Sequence, residues 1–205
     1  MPRDDQPQIY LVSPTEFELS AFSESLKAVL DAREIACFRL SMPGADQDAL
    51  SRNADLLREV CHSADVAIVI ENHFRLAANL GLDGVHLTDG PRLVRDVRKE
   101  LGGDAIVGSY CANSRHAGLS AGEAGADYVA FGPITPDLLG DGSSADFELF
   151  EWWSEVIEVP IVAEGGLDAA AIKRLFPATD FFAFGKEIWS TPDPVKALNT
   201  LYPGA

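Results

Sequence analysis

Short apolar runs alternate along this chain with longer segments whose apolar residues recur every three or four positions. The first run, Ile9-Tyr-Leu-Val12, reads as a buried strand closed by Ser13-Pro14. Leu19, Phe22, Leu26, Val29 and Leu30 then follow at helical spacing. The same alternation predicts strands at 9–12, 35–40, 66–70, 84–87, 105–110, 128–134, 160–163 and 181–184. Helical stripes lie between and after them, at 19–30, 50–61, 74–80, 91–101, 114–124, 147–157, 168–175 and 192–201. The stretch 135–145, rich in Gly, Asp and Ser, reads as a polar loop.

The strand signals are continuously apolar, as parallel strands covered on both faces require. Strand–helix alternation without a composition shift points to an α/β chain folding as a single (β/α)8 TIM barrel over 1–205. The rival is a doubly wound open sheet, which favours a glycine-rich turn after its first strand. Here that turn is Ser13-Pro14-Thr15. At 205 residues the chain is short for a barrel, which typically runs to about 250, so its connections must be brief.

Composition removes several classes of partner. A net charge of −16 repels nucleic acid and anionic membranes. It also repels phosphorylated ligands at long range, so a phosphate site must act through local backbone donors or placed cations. No apolar run is long enough to cross a bilayer. Cys37, Cys61 and Cys111 are scattered and lack metal-ligand spacing, which points to a reducing cytoplasm. Trp152, beside Trp153, and Phe147 lie at or off the apolar stripe of their helix. They suit either a homo-oligomer interface or packing beneath a neighbouring helix.

In a barrel of this kind, chemistry sits at the carboxyl ends of the strands, and phosphate often binds after strands seven and eight. Glycine turns fall at both places: Gly165-Gly166 after strand seven, and Gly185-Lys186 after strand eight. Each is a phosphate grip or simply a tight turn, and their pairing favours the grip. Arg39 ends a buried strand and must face either an internal acid such as Glu71 or an anionic ligand. His86, inside an apolar strand, reads as a hydrogen-bonded core histidine before a catalytic one. Glu71 and Asp89 are either Mg²⁺ ligands or solvated loop acids.

In order along the chain, Ile9-Tyr-Leu-Val-Ser, Leu82-Asp-Gly-Val-His-Leu87, Val107-Gly-Ser109, Gly125-Ala-Asp-Tyr-Val-Ala-Phe-Gly-Pro133 and Val159-Pro-Ile-Val-Ala-Glu-Gly-Gly-Leu167 resemble the thiamine phosphate synthase and thiazole tautomerase (TenI-like) family. The resemblance covers nearly the whole chain. It implies this same barrel, and a synthase that uses Mg²⁺ to join a pyrimidine diphosphate to a thiazole phosphate, releasing pyrophosphate. It further implies roles for Arg39 and Ser109 in catalysis, and substrate contacts at Ser41, Asn72, His86 and Gly132. The thiazole phosphate would lie against Gly165, Gly166, Gly185 and Lys186.

Several family positions are altered. Where the synthase has Gln-x-Arg-x-Lys, this chain has Cys37-Phe-Arg39-Leu-Ser41, and the Asn-Asp pair after strand three is Glu71-Asn72. The second metal aspartate aligns with Pro91, two residues after Asp89. The Thr-x-Thr-Lys diphosphate clamp is replaced by Asp137-Leu-Leu-Gly140, and the serine near strand eight by Lys186. The tautomerase histidine corresponds to Pro133. The losses cluster on the diphosphate and metal side. Two further readings therefore stand beside the synthase: a non-catalytic barrel that binds a thiazole or thiamine phosphate, and an enzyme acting on another phosphorylated small molecule.

Overall fold

The computed structural model describes residues 6–136 and 143–203. Eight parallel strands close into a barrel in sequence order. They are β1 (Gln8–Val12), β2 (Cys37–Leu40), β3 (Ala67–Glu71), β4 (Gly84–Leu87), β5 (Ile106–Tyr110), β6 (Tyr128–Phe131), β7 (Ile161–Glu164) and β8 (Phe181–Phe184). The ring shuts where Gln8 to Leu11 run beside Phe181 to Phe184.

The outer layer comprises α1 (Leu19–Ala32), α2 (Gln47–Ser63), α3 (Phe74–Leu80), α4 (Val94–Leu101), α5 (Arg115–Ala124), α6 (Phe147–Val156), α7 (Ala169–Leu175), α8 (Lys186–Trp189) and α9 (Pro194–Leu201). Side-chain caps start many of them: Asp46 accepts from the Ala49 amide, Asp168 from Ala171 and Asp193 from Lys196. The open-sheet alternative is excluded by closure. Several expected bounds shift by a few residues, among them strand two, which starts at Cys37, and the helix expected from 91, which starts at Val94. Strand six ends at Phe131 rather than 134, because Pro133 has no N–H to extend the ladder. Strand eight is followed by the short α8, which sequence periodicity missed, and α9 begins only at Pro194.

Alternation along each strand divides the interior in two. One set of side chains, including Leu11, Phe38, Ile68, Val85, Val107, Phe131 and Phe182, packs against the helices. The other set, Tyr10, Cys37, Val69, Tyr128, Ala130, Val162 and Ala183, fills the barrel lumen. Trp152 and Phe147, offered above as interface candidates, are partly buried on the core. Their rings are covered by Arg115 at 4.6 Å and Arg174 at 4.3 Å.

The lumen is filled to the point where one position must lack a side chain. A Cβ on Gly108 would lie 2.0 Å from Tyr128 Cζ, and that ring is fixed by hydrogen bonds at its hydroxyl. Gly108→Ala is therefore expected to cost about 1–3 kcal/mol, read as a fall in the urea midpoint with an unchanged m-value.

Candidate functional site

The centre of the lumen is a column of polar side chains. Arg39, on β2, is only 5% exposed. Its Nη1 donates to Glu164 Oε2 at 2.8 Å and to His86 Nε2 at 2.8 Å. Its Nε lies 3.3 Å from Glu71 Oε1 but makes no hydrogen bond, so that contact is an ion pair by distance alone. Arginine can only donate, so His86 must accept at Nε2 and carry its proton on Nδ1. Nδ1 then donates to Tyr128 Oη at 2.9 Å, and Tyr128 Oη lies 2.7 Å from Tyr10 Oη. The Arg39 guanidinium also sits over the Tyr10 ring, 5.7 Å from its centroid.

Burial and charge set the protonation states in this column. Burial, reinforced by the neighbouring Arg39 charge, holds the His86 imidazole well below its usual range. Burial works to lower the Arg39 pKa, but Glu164, Tyr10 and Glu71 outweigh it and the group stays charged. Burial raises the Tyr10 and Tyr128 phenols and pushes the Cys37 thiol up to about 12. Glu71 is raised by burial, against the pull of Arg39 and of the Ser41 hydroxyl. A buried cation flanked by two carboxylates and a neutral imidazole is the outcome.

Above this column opens a cleft of about 690 Å³, lined among others by Ser13, Arg39, Ser41, Glu164, Lys186 and Trp189. The turn after β7 needs glycine twice. Gly165 and Gly166 have φ of 82° and 75°, and a Cβ on them would lie 2.9 Å from Pro133 and 2.7 Å from Thr135. The freed backbone N–H groups converge on one carboxylate. Glu187 Oε1 accepts from the Gly166 amide at 2.8 Å and the Leu167 amide at 3.3 Å, and Oε2 accepts from the Gly185 amide at 2.9 Å. The two glycine turns thus form a single anion cradle, and the chain's own acid sits in it.

The candidate residues divide accordingly. Arg39, Ser41, Glu71 and His86 meet at the top of the lumen, with Ser41 Oγ donating to Glu71 Oε2 at 2.9 Å. His86 is the hydrogen-bonded core histidine that its setting suggested. Gly165, Gly166, Gly185 and Lys186 meet at the cleft. Ser109 does not. It is fully buried on the helix-facing side of β5, beside Cys111 Sγ at 3.6 Å, because Gly108 and Tyr110 hold the inward positions. Asn72 spends its amide on Thr88, as donor at 2.8 Å and acceptor at 3.0 Å. Asp89 pairs with Arg92 at 3.1 Å, and the Gly132 carbonyl accepts from the Tyr110 hydroxyl at 2.6 Å. Asp137 and Gly140 of the substituted clamp lie outside the described residues.

The fit to a divalent cation is poor. Glu71 is engaged by Arg39 and Ser41, and Asp89 by Arg92. Among the described residues no cluster of three or more His, Cys, Asp or Glu side chains is arranged to hold a metal. Glu164, Glu187, Tyr10 and Tyr128 were not singled out from the sequence. Glu164 carries a usable signal, being a charged residue at the end of an apolar strand.

Fold and site together define a closed β/α barrel at whose mouth backbone N–H groups of two turns converge on one carboxylate. The family model described as thiamine monophosphate synthase (TMP-TENI) matches residues 9–186, and the chain belongs to that family. It is 40% identical over 187 residues to the thiamine-phosphate synthase of Rhodospirillum centenum, covering 90% of each chain. It is 39% identical over 190 residues to that of Erythrobacter litoralis, covering 89% of this chain and 88% of the relative. The thiamine phosphate pyrophosphorylase of Pyrococcus furiosus shares the fold, with a TM-score of 0.81 at 21% identity over 95% of this chain and 93% of that one. Membership places the chain in thiamine biosynthesis, in a family of transferases acting on phosphorylated substrates. No helix among the described residues is long and apolar enough to cross a membrane.

The tautomer assignment is directly checkable. With its folded pKa below the unfolded value of about 6.5, His86 binds its proton more readily in the unfolded chain. Its contribution to stability is full above about pH 6.5 and is lost as pH falls from there toward the folded value. Glu71, raised by burial, acts in the opposite sense: its contribution is full below the ordinary carboxylate range and is lost as pH rises through its folded pKa. Nitrogen-15 NMR of the imidazole should show a neutral Nδ1–H ring at pH 6. A ring titrating near 6.5 contradicts the column.

Proposed function

We propose that this chain is a synthase-type transferase that joins a pyrimidine diphosphate to a thiazole phosphate, with the thiazole's phosphate gripped by the turns after β7 and β8. One observation carries this reading: backbone N–H groups from two separate glycine turns aim at one anion beside Arg39 and Lys186. A phosphate monoester offers more acceptor oxygens than a carboxylate for the same donors, and Lys186 adds a point charge at the rim. Mg²⁺ enters this reading as the counter-ion of the diphosphate, since Glu71 and Asp89 are already paired with arginines. A cytoplasmic location is part of the proposal, supported by three free, buried cysteines. So is the treatment of 1–205 as one domain.

The ion pairs at Arg39 also support a second reading, a barrel that binds the thiazole phosphate or thiamine phosphate without joining the substrates. The departing pyrophosphate needs cationic stabilisation, and the loss of one such donor commonly costs about 3 kcal/mol of barrier. Arg39 is already neutralised by Glu71 and Glu164. The two readings separate in an assay of the purified protein with both substrates and Mg²⁺. The synthase reading expects thiamine phosphate and pyrophosphate above a no-enzyme control. Tight binding of the thiazole phosphate with no product would sink it and leave the binding role. If turnover is seen, Lys186→Ala is expected to raise KM for the thiazole phosphate roughly tenfold with kcat little changed, the pattern of a uniform binding contact.

A further inference from the structure

The cradle and the acid within it are parts of one short segment. Glu187 lies two residues after Gly185, so its carboxylate folds back onto the Gly185 amide that precedes it while reaching across to Gly166 and Leu167 on the neighbouring turn. The segment is pinned on its far side. The Trp189 indole N–H donates to the Val12 carbonyl at 2.7 Å, and Ile188 is fully buried. The side chain of Glu187 can therefore leave the cradle by rotation about its own bonds while the turn that carries it stays in place.

We propose that Glu187 is a built-in competitor for the substrate's phosphate, and so a determinant of which anions this barrel accepts. The inference rests on the phosphate reading above. A carboxylate tethered within the same turn competes as an intramolecular ligand, at an effective concentration that free phosphate must exceed. A phosphate that enters must take over three backbone donors and turn Glu187 out. The displaced charge then stays near a second acid of the cleft, Glu164. An anion with nothing else to offer is poorly placed to do so. A ligand whose ring also fills the cleft has the surplus binding energy that displacement requires. The same acid keeps three backbone N–H groups satisfied when no ligand is bound.

The test is calorimetric titration of the full chain with inorganic phosphate, in wild type, Glu187→Ala and Glu187→Gln. Removing the carboxylate is expected to tighten phosphate binding at least about tenfold, equivalent to about 1.4 kcal/mol. Glu187→Gln keeps an acceptor oxygen for the amides while removing the charge, and should fall between. It also remains informative if Glu187→Ala does not fold. A thermal-shift series gives a second readout: the variants should melt lower than wild type without phosphate and gain more from adding it. Equal or weaker phosphate affinity in both variants overturns the proposal. Should that result accompany normal product formation, only the competitor role fails. Tighter binding in variants of a protein that makes no product keeps the competitor role and removes the synthase reading.

Discussion

A guanidinium enclosed in a parallel barrel has to be neutralised on the spot, and the arrangement around Arg39 follows from that need. Water cannot solvate it at 5% exposure, and an unpaired charge there would be prohibitive. Two carboxylates from different strands, Glu164 on β7 and Glu71 on β3, meet it from either side. The remaining contact falls on a histidine that must stay neutral to accept it. That proton assignment commits the Tyr128 hydroxyl, and with it the packing of Tyr128 against Gly108. One buried charge thus ties β2, β3, β4, β6 and β7 to a single arrangement of the lumen.

The same local logic governs the mouth. A chain carrying −16 cannot draw in phosphorylated ligands by its overall field. Attraction has to come from donors that act at contact, and in the proposed reading these are the backbone N–H groups of the turns after β7 and β8. Glycine at 165 and 166 is what lets those amides face the cleft, since any side chain there would run into Pro133 or Thr135. Glu187 shows that the cradle has the geometry of an anion site, because an anion occupies it. Arg39 lies at the foot of the cleft but is spent internally on Glu71 and Glu164.

Much of this was legible in the sequence. Strands 84–87 and 181–184 and the helix at 74–80 have the bounds that periodicity indicates, since each is a clean apolar block bordered by turn residues. The short helix after β8 was not, because four residues carry no period. The glycine pairs announced the cradle, but not that Glu187 fills it. That depends on how a side chain folds back across two turns, which spacing does not encode. Ser109, given a catalytic role only by the resemblance, faces the helix layer because Gly108 and Tyr110 take the inward places of β5. The sequence leaves Arg39 facing an acid such as Glu71 or a ligand, while Glu164 is hidden inside the glycine motif beside it.

If the two glycine turns act as one site for a substrate phosphate, their amides respond to it as a unit. In backbone amide NMR during a titration with the thiazole phosphate, Gly166, Leu167 and Gly185 should shift together and saturate along one binding curve. If those three stay still while amides elsewhere around the barrel mouth, such as Asn72 and Thr88, move instead, the phosphate binds somewhere else and the two turns are not its site.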